Sequence, residues 1–196
     1  NPSSEPPILS TVGATVVANN SNTDFALLNL TENPKDDCNI TPYYLGWDRT
    51  GSAGTGGVGI HHPGGDIKKI ATYNITPSNS NCYSSGGSNF WKVNWTATSN
   101  GHSVTEGGSS GSPLINSNHR VIGQLYGAAT CSNTNCSDPS SDISNYGKFS
   151  VSWTGDGATD NRRRLDHWLH PGSGTAPTIL NGRPSMTITG VSLICD

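Results

Sequence analysis

Short runs of apolar residues recur along the chain between clusters of glycine, serine and asparagine. Runs rich in β-branched and aromatic residues and bounded by such clusters are typical of β-strands with at least one buried face. The predicted strands are 8–18, 24–30, 43–47, 58–61, 67–73, 91–97, 113–116, 121–126 and 147–153. Their spacing predicts an all-β fold, either an antiparallel barrel or a sandwich.

One helix is predicted near the C-terminal end of the chain. Thr159 or Asp160 can cap its first turn, and apolar residues recur at helical spacing as far as Leu169. A proline and a glycine follow His170 and end the pattern. The sequence therefore predicts a helix over 159–170 with one apolar face packed on the β-structure.

Composition favours strands and turns over helices, because 24 of the 196 residues are glycine and 12 are proline. The net charge of -3 gives no basic surface for nucleic acid, and we expect the one basic run, Arg162–Arg164, to lie on a solvated helix face. No apolar run approaches the roughly 20 residues of a membrane-spanning helix. We expect neither a nucleic-acid partner nor a membrane span.

Five cysteines in a chain with one methionine and few charges indicate an oxidising compartment, so secretion is predicted. An odd number leaves at least one thiol without a partner in this chain, and we expect that partner in another part of the molecule. Cys131 and Cys136 are close enough for a local disulfide, and Cys38 with Cys82 is a second candidate pair. The spacing completes no zinc site, and no metal or other cofactor is predicted.

The segment Glu106–Pro113 contains a serine framed by glycines and followed by Gly-Ser-Pro. A tight turn there can expose the Ser110 hydroxyl and direct backbone N–H groups toward a developing oxyanion, as acyl transfer requires. A serine hydroxyl is a poor nucleophile unless a histidine base and an orienting acid reach it. The alternative is a plain glycine- and serine-rich hairpin loop.

Landmarks over residues 10–182 resemble the lysyl endopeptidase family of secreted bacterial serine proteases, which share the chymotrypsin-like double β-barrel. The matching segments occur in the family's order. They are Thr-Asp-Phe-Ala-Leu-Leu at 23–28, Tyr-Leu-Gly-Trp-Asp-Arg at 44–49, Gly-Ile-His-His-Pro at 59–63, Val-Thr-Glu at 104–106 with Gly-Ser-Ser-Gly-Ser-Pro at 108–113, Val-Ile-Gly-Gln-Leu at 121–125, Tyr-Gly-Lys-Phe at 146–149 and Arg-Leu-Asp-His-Trp-Leu at 164–169.

This resemblance implies a trypsin-like second barrel together with the end of the first. Residues 1–30 would be the end of the first barrel and the crossover that carries the catalytic aspartate. Residues 31–174 would form the second barrel with the nucleophile loop and the C-terminal helix. Residues 175–196 are predicted to be a tail or the start of a further β domain.

The resemblance also implies the site residues: Ser110 as nucleophile, the N–H groups of Gly108 and Ser110 as the oxyanion hole, and Asp24 as the acid that orients the catalytic histidine. Asp24 leads an apolar strand. A carboxylate in that place needs hydrogen-bond donors, and an imidazole N–H is the partner that such an enzyme supplies. The alternative for Asp24 is local capping of turn N–H groups.

The catalytic histidine is the missing piece, since the family's order is His, Asp, Ser and none of the six histidines precedes Asp24. We favour the hypothesis that a missing N-terminal half or a partner chain supplies it, which predicts that these residues alone are inactive. Two rivals remain: an inactive family member, or replacement by a downstream histidine, for which His61 and His62 come closest. The family, however, uses its His-His-Pro as framework.

Four residues are expected around the primary substrate pocket: Val104, Tyr126, Asp142 and Ser144. Val104 would give an apolar base, and Tyr126 stands where the family has a histidine. Lysine-specific members carry a carboxylate two residues before the tyrosine of Tyr-Gly, whereas this chain has Ser144. The nearest acid, Asp142, is displaced by two residues, or about 6 to 7 Å along a strand. Either Asp142 reaches the pocket through a bulge or Ser144 leaves it neutral.

These observations predict a secreted serine endopeptidase that cleaves polypeptide substrates through an acyl-enzyme. The alternative is a catalytically inactive binding or structural module built on the same scaffold.

Overall fold

The computed structural model describes residues 10–37, 41–80, 88–99, 101–127 and 143–185. Two 3₁₀ turns, at Pro63–Gly65 and Asn161–Arg163, accompany the helices and strands. The elements in chain order are β1 Ala14–Asn20, β2 Phe25–Leu30, α1 Pro34–Asp37, β3 Tyr43–Tyr44, β4 Gly46–Asp48, β5 Gly57–His61, β6 Lys69–Tyr73, β7 Ser78–Asn79, β8 Phe90–Asn94, β9 Pro113–Asn116, β10 Arg120–Gly127, β11 Ile143–Lys148, α2 Phe149–Thr154, α3 Asp166–Leu169, β12 Ile179–Leu180 and β13 Arg183–Pro184. None of the helices in these ranges is both long and apolar enough to cross a membrane.

The main sheet runs in the order β6-β5-β9-β10-β11-β8-β7 with antiparallel neighbours. It curls back on itself, because the Thr96 N–H just after β8 donates to the carbonyl of Thr72 on β6 at 2.8 Å. Aromatic and branched side chains fill the interior, among them Tyr73, Trp91, Val93, Trp95, Leu114, Ile122, Leu125 and Tyr146. The predicted all-β antiparallel barrel is confirmed.

Strands β1 and β2 form a separate two-stranded hairpin. Val16 pairs with Leu28 in its register, and Ala14 pairs with Leu30. The exposed fraction of Val16, Leu28 and Leu30 is between 44% and 55%, so one end of the hairpin presents an apolar face to solvent. The other end buries Ala18 and Phe25 in a second core cluster.

Asn20 anchors this hairpin to the C-terminal half of the chain. Its side-chain Nδ2 donates to the carbonyls of Gly155 and Arg163, each at 3.0 Å, and its Oδ1 accepts from the N–H of Asn22. Gly155 has a φ of +63°, and a Cβ there would lie 2.1 Å from the Arg163 carbonyl oxygen. These contacts hold the turn between β1 and β2 against the end of α2.

The region after β11 differs in detail from the sequence prediction. The strand predicted for 147–153 ends at Lys148, and α2 begins at once. Phe149 and Trp153, four residues apart, share one helix face and both pack on Trp47. The helical region predicted for 159–170 is broken into a 3₁₀ turn and the single-turn helix α3, because Arg164 between them is extended.

Residues 176–185 form hydrogen bonds with β3, with β4 and with Arg49, which follows β4. Strand β12 is antiparallel to β4, and β13 is antiparallel to β3. The Trp47 Nε1–H donates to the Pro177 carbonyl at 3.2 Å, and the Arg49 guanidinium donates to the carbonyls of Ala176 and Pro177 at 2.7 and 3.1 Å. The domain boundaries at 30 and 174 stay predictions, as does any role for 186–196, which lie outside the described residues.

All five cysteines lie outside the described residues. The pairings considered for Cys38 with Cys82 and for Cys131 with Cys136 therefore stay predictions.

Candidate active site

Two consecutive tight turns shape the loop that carries Ser110. In the first, the Ser109 N–H donates to the Glu106 carbonyl at 3.0 Å, and in the second the Ser112 N–H donates to the Ser109 carbonyl at 3.1 Å. Gly108 and Gly111 have φ angles of +94° and +82°, a region that favours glycine. Ser110 is exposed at the apex, and its Oγ lies 3.5 Å from the Tyr126 carbonyl oxygen.

Some backbone N–H groups of this loop donate hydrogen bonds and others have no acceptor. The Ser109 N–H is taken by the turn, whereas the N–H groups of Gly108 and Ser110 find no acceptor among the described residues. A Cβ on Gly108 would lie 3.1 Å from the His62 carbonyl oxygen, so glycine also fits the space. Two unpaired N–H groups, one from Gly108 and one from Ser110 itself, are what an oxyanion hole beside the Ser110 hydroxyl would require.

Asp24 ends the turn between β1 and β2 and has a φ of +52°. This left-handed conformation is uncommon for residues other than glycine, but aspartate and asparagine adopt it more readily than most. The carboxylate makes no hydrogen bond within the described ranges, and although the residue is exposed, desolvation by neighbouring groups raises its pKa above the usual value. The local capping considered for Asp24 from the sequence is therefore absent among these residues.

Thr23, the residue before Asp24, is fixed by contacts from the barrel. Its carbonyl accepts a hydrogen bond from Gln124 Nε2 at 2.7 Å, and its Oγ1 lies 2.9 Å from the Ser152 hydroxyl. A Cβ on Gly147 would stand 1.8 Å from the Thr23 carbonyl oxygen, so only glycine allows this close approach. The position of Asp24 thus depends on β10, β11 and α2.

Ser110 and Asp24 line one cleft of about 500 Å³, together with Ala26 and Gln124. Both side chains are exposed. The two residues that the sequence analysis expects to be catalytic therefore lie on the same cleft.

None of the six histidines, all of which the structure describes, lines this cleft or hydrogen-bonds to Ser110 or Asp24. His61 Nδ1 instead lies 2.9 Å from the Ser109 hydroxyl, and His62 Nδ1 lies 3.1 Å from the Asp66 carbonyl oxygen. The geometry gives no support to replacement of the base by a downstream histidine.

Two of the four expected substrate-pocket residues, Val104 and Ser144, are buried. Val104 belongs to the barrel core and also borders a second cavity, of about 900 Å³. The Ser144 hydroxyl accepts from Trp95 Nε1 at 2.9 Å and lies 2.6 Å from the Thr105 hydroxyl. Tyr126 is 41% exposed, and Asp142 lies outside the described residues. Within the described structure, Ser144 is surrounded by uncharged partners.

Sequence reasoning missed the residues that support the site, chiefly Thr23, Ser109, Gln124 and Gly147. Their contacts join segments more than a hundred residues apart, such as Gln124 with Thr23 at a separation of 101 and Ser152 with Thr23 at a separation of 129. The sequence signal close to any of them is the pair of glycines that flanks Ser109 and Ser110, which indicates a tight turn. Among the described residues, no three His, Cys, Asp or Glu side chains come together in a way that could hold a metal ion.

A curled antiparallel half-barrel, with a glycine-framed serine and a carboxylate on one cleft, defines a serine protease-like domain. The family model described as "Lysyl endopeptidase, C-terminal domain" matches residues 1–144 of the chain. The "Lysyl endopeptidase" of Pseudomonas aeruginosa is 32% identical over 141 residues, covering 69% of this chain and 27% of that protein. The chain belongs to the lysyl endopeptidase C-terminal domain family and spans about a quarter of the length of this relative.

Solved structures with a similar course of the chain include the Rv3671c protease of M. tuberculosis. Its active form matches with a TM-score of 0.43 and 20% identity, covering 71% of this chain and 55% of that one. Its inactive form matches with a TM-score of 0.42 and 19% identity, covering 69% and 60%.

Proposed function

We propose that this chain carries the nucleophile, the oxyanion hole and the acid of a secreted serine endopeptidase. The observation that carries the proposal is the cleft shared by Ser110 and Asp24. The unpaired N–H groups of Gly108 and Ser110 beside it support the same reaction.

In the proposed mechanism, Ser110 Oγ attacks the scissile carbonyl of a polypeptide and a histidine takes its proton. That histidine comes from a segment outside these 196 residues and enters the cleft between Ser110 and Asp24. Asp24 accepts the other imidazole N–H, holds the ring in the required tautomer and stabilises the imidazolium. The N–H groups of Gly108 and Ser110 bind the oxyanion. The imidazolium gives its proton to the leaving amine as the scissile C–N bond breaks, and the same histidine then deprotonates the water that hydrolyses the acyl-enzyme and frees Ser110.

The exposed apolar end of the β1–β2 hairpin supports a missing first barrel. Val16 and Leu28 are directly opposite each other in the register, and Leu30 is opposite Ala14, so these side chains share one face. Exposed apolar patches on an otherwise polar protein mark contact surfaces. We propose that the rest of the first barrel, which also provides the histidine, covers this face.

Labelling with a fluorophosphonate, which phosphonylates activated serines with loss of fluoride, tests the proposal together with the intact mass of the native protein under reducing and non-reducing conditions. We expect a second chain, or a longer chain, that supplies the base, with labelling at Ser110 and none in Ser110→Ala. If a disulfide joins two chains, reduction should release the partner and abolish labelling. A single species of 20.5 kDa that never labels would contradict the proposal.

The second candidate function is an inactive protease-like module that binds a partner through this scaffold. It is favoured by one observation, that none of the chain's histidines lines the Asp24–Ser110 cleft. The labelling experiment decides between the two, because a module without a base leaves Ser110 unreactive.

Substrate preference is predicted to be for uncharged side chains at the primary pocket, because Ser144 is held by Trp95 and Thr105, both neutral. In the active protease, Ser144→Asp should raise kcat/KM for lysine substrates by about tenfold or more, since a carboxylate there can pair with an ammonium. The matched control is Ser144→Asn, because asparagine has nearly the same shape as aspartate but no charge. This variant should not raise kcat/KM for lysine substrates. Strong lysine preference in the unaltered protein, lost in Asp142→Asn, would show instead that Asp142 supplies the charge.

A further inference from the structure

The nucleophile loop is tied to β5 and to the 3₁₀ turn that follows it by two hydrogen bonds. The Gly64 N–H donates to the carbonyl of Gly107 at 2.8 Å. His61 Nδ1, at the end of β5, lies 2.9 Å from the Ser109 hydroxyl. Both contacts come from one short stretch of chain and reach the two residues that flank Gly108.

The first bond determines which way the Gly107–Gly108 peptide faces. In a trans peptide the C=O and the following N–H point in opposite directions. Since the Gly107 carbonyl is directed to Gly64, the Gly108 N–H is directed to the opposite side, where it is unpaired among the described residues. Rotation of this peptide by half a turn would place a carbonyl oxygen where the oxyanion needs a donor.

The side chains on each side of a peptide normally restrict its rotation, and the Gly107–Gly108 peptide has none. Neither residue has a Cβ, so both signs of φ are accessible. A Cβ added to Gly107 would meet nothing within 4 Å. The orientation of the peptide must therefore come from the hydrogen bonds around it.

His61 provides the second support through Ser109. Ser109 is 1% exposed, and its Oγ accepts the Glu106 N–H at 3.2 Å, which closes the turn around Gly107 and Gly108. The hydroxyl proton of Ser109 is then available for His61 Nδ1. Burial lowers the pKa of His61 and favours the neutral ring, which can keep a hydrogen bond between Nδ1 and the Ser109 hydroxyl in either tautomer.

We propose that His61 is a positioning residue, which acts through Ser109 and beside the Gly64 amide to fix the Gly107–Gly108 peptide with its N–H free for the oxyanion. The catalytic consequence rests on the proposed function, whereas the tether itself does not. His61 touches no reacting atom in this arrangement.

Amide hydrogen exchange on this chain, followed by NMR, tests the tether without any activity. In the unaltered chain we expect the Gly64 amide to exchange slowly. His61→Leu and Ser109→Ala should each speed its exchange at least tenfold, while the core amides of β10 keep their protection and show that the barrel is folded. His61→Asn, whose side chain places a polar atom near the position of Nδ1, should restore most of the protection.

Kinetics in the active protease test the consequence. His61→Leu and Ser109→Ala should lower kcat about tenfold to a hundredfold with KM unchanged, because a misdirected oxyanion donor weakens only transition-state binding. His61→Asn should recover most of the loss. Unchanged Gly64 exchange in both variants, or a change confined to KM, would overturn the proposal. If the unaltered protein has no activity, the proposed function fails while the exchange result still decides the tether.

Discussion

Asp24→Asn is expected to lower kcat for peptide hydrolysis about 10⁴-fold, with little change in KM, in the protein that contains the catalytic histidine. Asparagine fits the left-handed backbone at this position as well as aspartate does, so the turn is kept. Its amide would present a donor to the imidazole, which favours the wrong tautomer and leaves the imidazolium without a counter-charge. Steady-state kinetics on a peptide substrate measure the effect.

In Asp24→Asn, the free energy of unfolding of the chain is expected to change in the opposite direction from kcat: kcat falls, whereas stability at pH 7 is kept or rises. Desolvation by neighbouring groups raises the folded-state pKa of Asp24 above its unfolded value, so folding favours the neutral carboxyl. This contribution to stability is fully present below the unfolded pKa and is lost as pH rises through the folded pKa. Asp24→Asn should therefore be at least as stable as the unaltered chain at pH 7, and the difference should vanish toward acid pH.

Asp156→Asn is the matched control for Asp24. Asp156 also has a left-handed backbone, with a φ of +59°, and it does not line the cleft. Its carboxylate accepts hydrogen bonds from Asn22 and Asn89. This variant should leave kcat essentially unchanged. A kcat of Asp24→Asn within tenfold of the unaltered protein, or a marked loss of stability at pH 7, would show that Asp24 is a structural residue instead.

Gly147→Ala is expected to destabilise the chain by about 3 kcal/mol and to displace the Thr23–Asp24 turn. The added Cβ would stand 1.8 Å from the Thr23 carbonyl oxygen and 2.4 Å from Gln124 Nε2. One of these atoms is backbone, so the conflict cannot be relieved by turning a side chain. Denaturant unfolding measures the loss as a lower midpoint, and the active protease should lose kcat as well.

Gly172→Ala provides the comparison for this substitution. A Cβ on Gly172 would meet nothing within 4 Å, and its φ lies outside the left-handed region. We expect its unfolding midpoint to stay close to that of the unaltered chain. If Gly147→Ala unfolded at the same midpoint as Gly172→Ala, the close approach of Thr23 to β11 would be wrong.

The local pattern of the sequence predicted most of the barrel strands. Strand β9 has the predicted bounds, 113–116, because a proline opens it and a polar turn follows. The glycine spacing around Ser110 likewise indicated an exposed hydroxyl between tight turns. In both places the residues that decide the structure are neighbours along the chain.

Features that depend on distant contacts could not be predicted. The local pattern predicts a strand for the segment that contains Phe149 and Trp153. Their spacing of four residues fits a helix equally well, and the packing of both rings on Trp47 favours the helix. His61 was placed in the framework from its motif. Its contact with Ser109 depends on how β5 pairs with β9, and no local pattern encodes that register.

The pairing of β4 bears on how the chain folds as it is synthesised. This short strand lies between β10 and β12, and the Trp47 side chain bonds to Pro177, 130 residues later. Contacts between segments so far apart form slowly, because closing a long loop costs conformational entropy before any of the contacts can form. On a translating ribosome, β4 therefore keeps one open edge until the residues of β12 emerge. Strand β12 therefore joins the sheet only after β5 to β11, α2 and α3 have been synthesised.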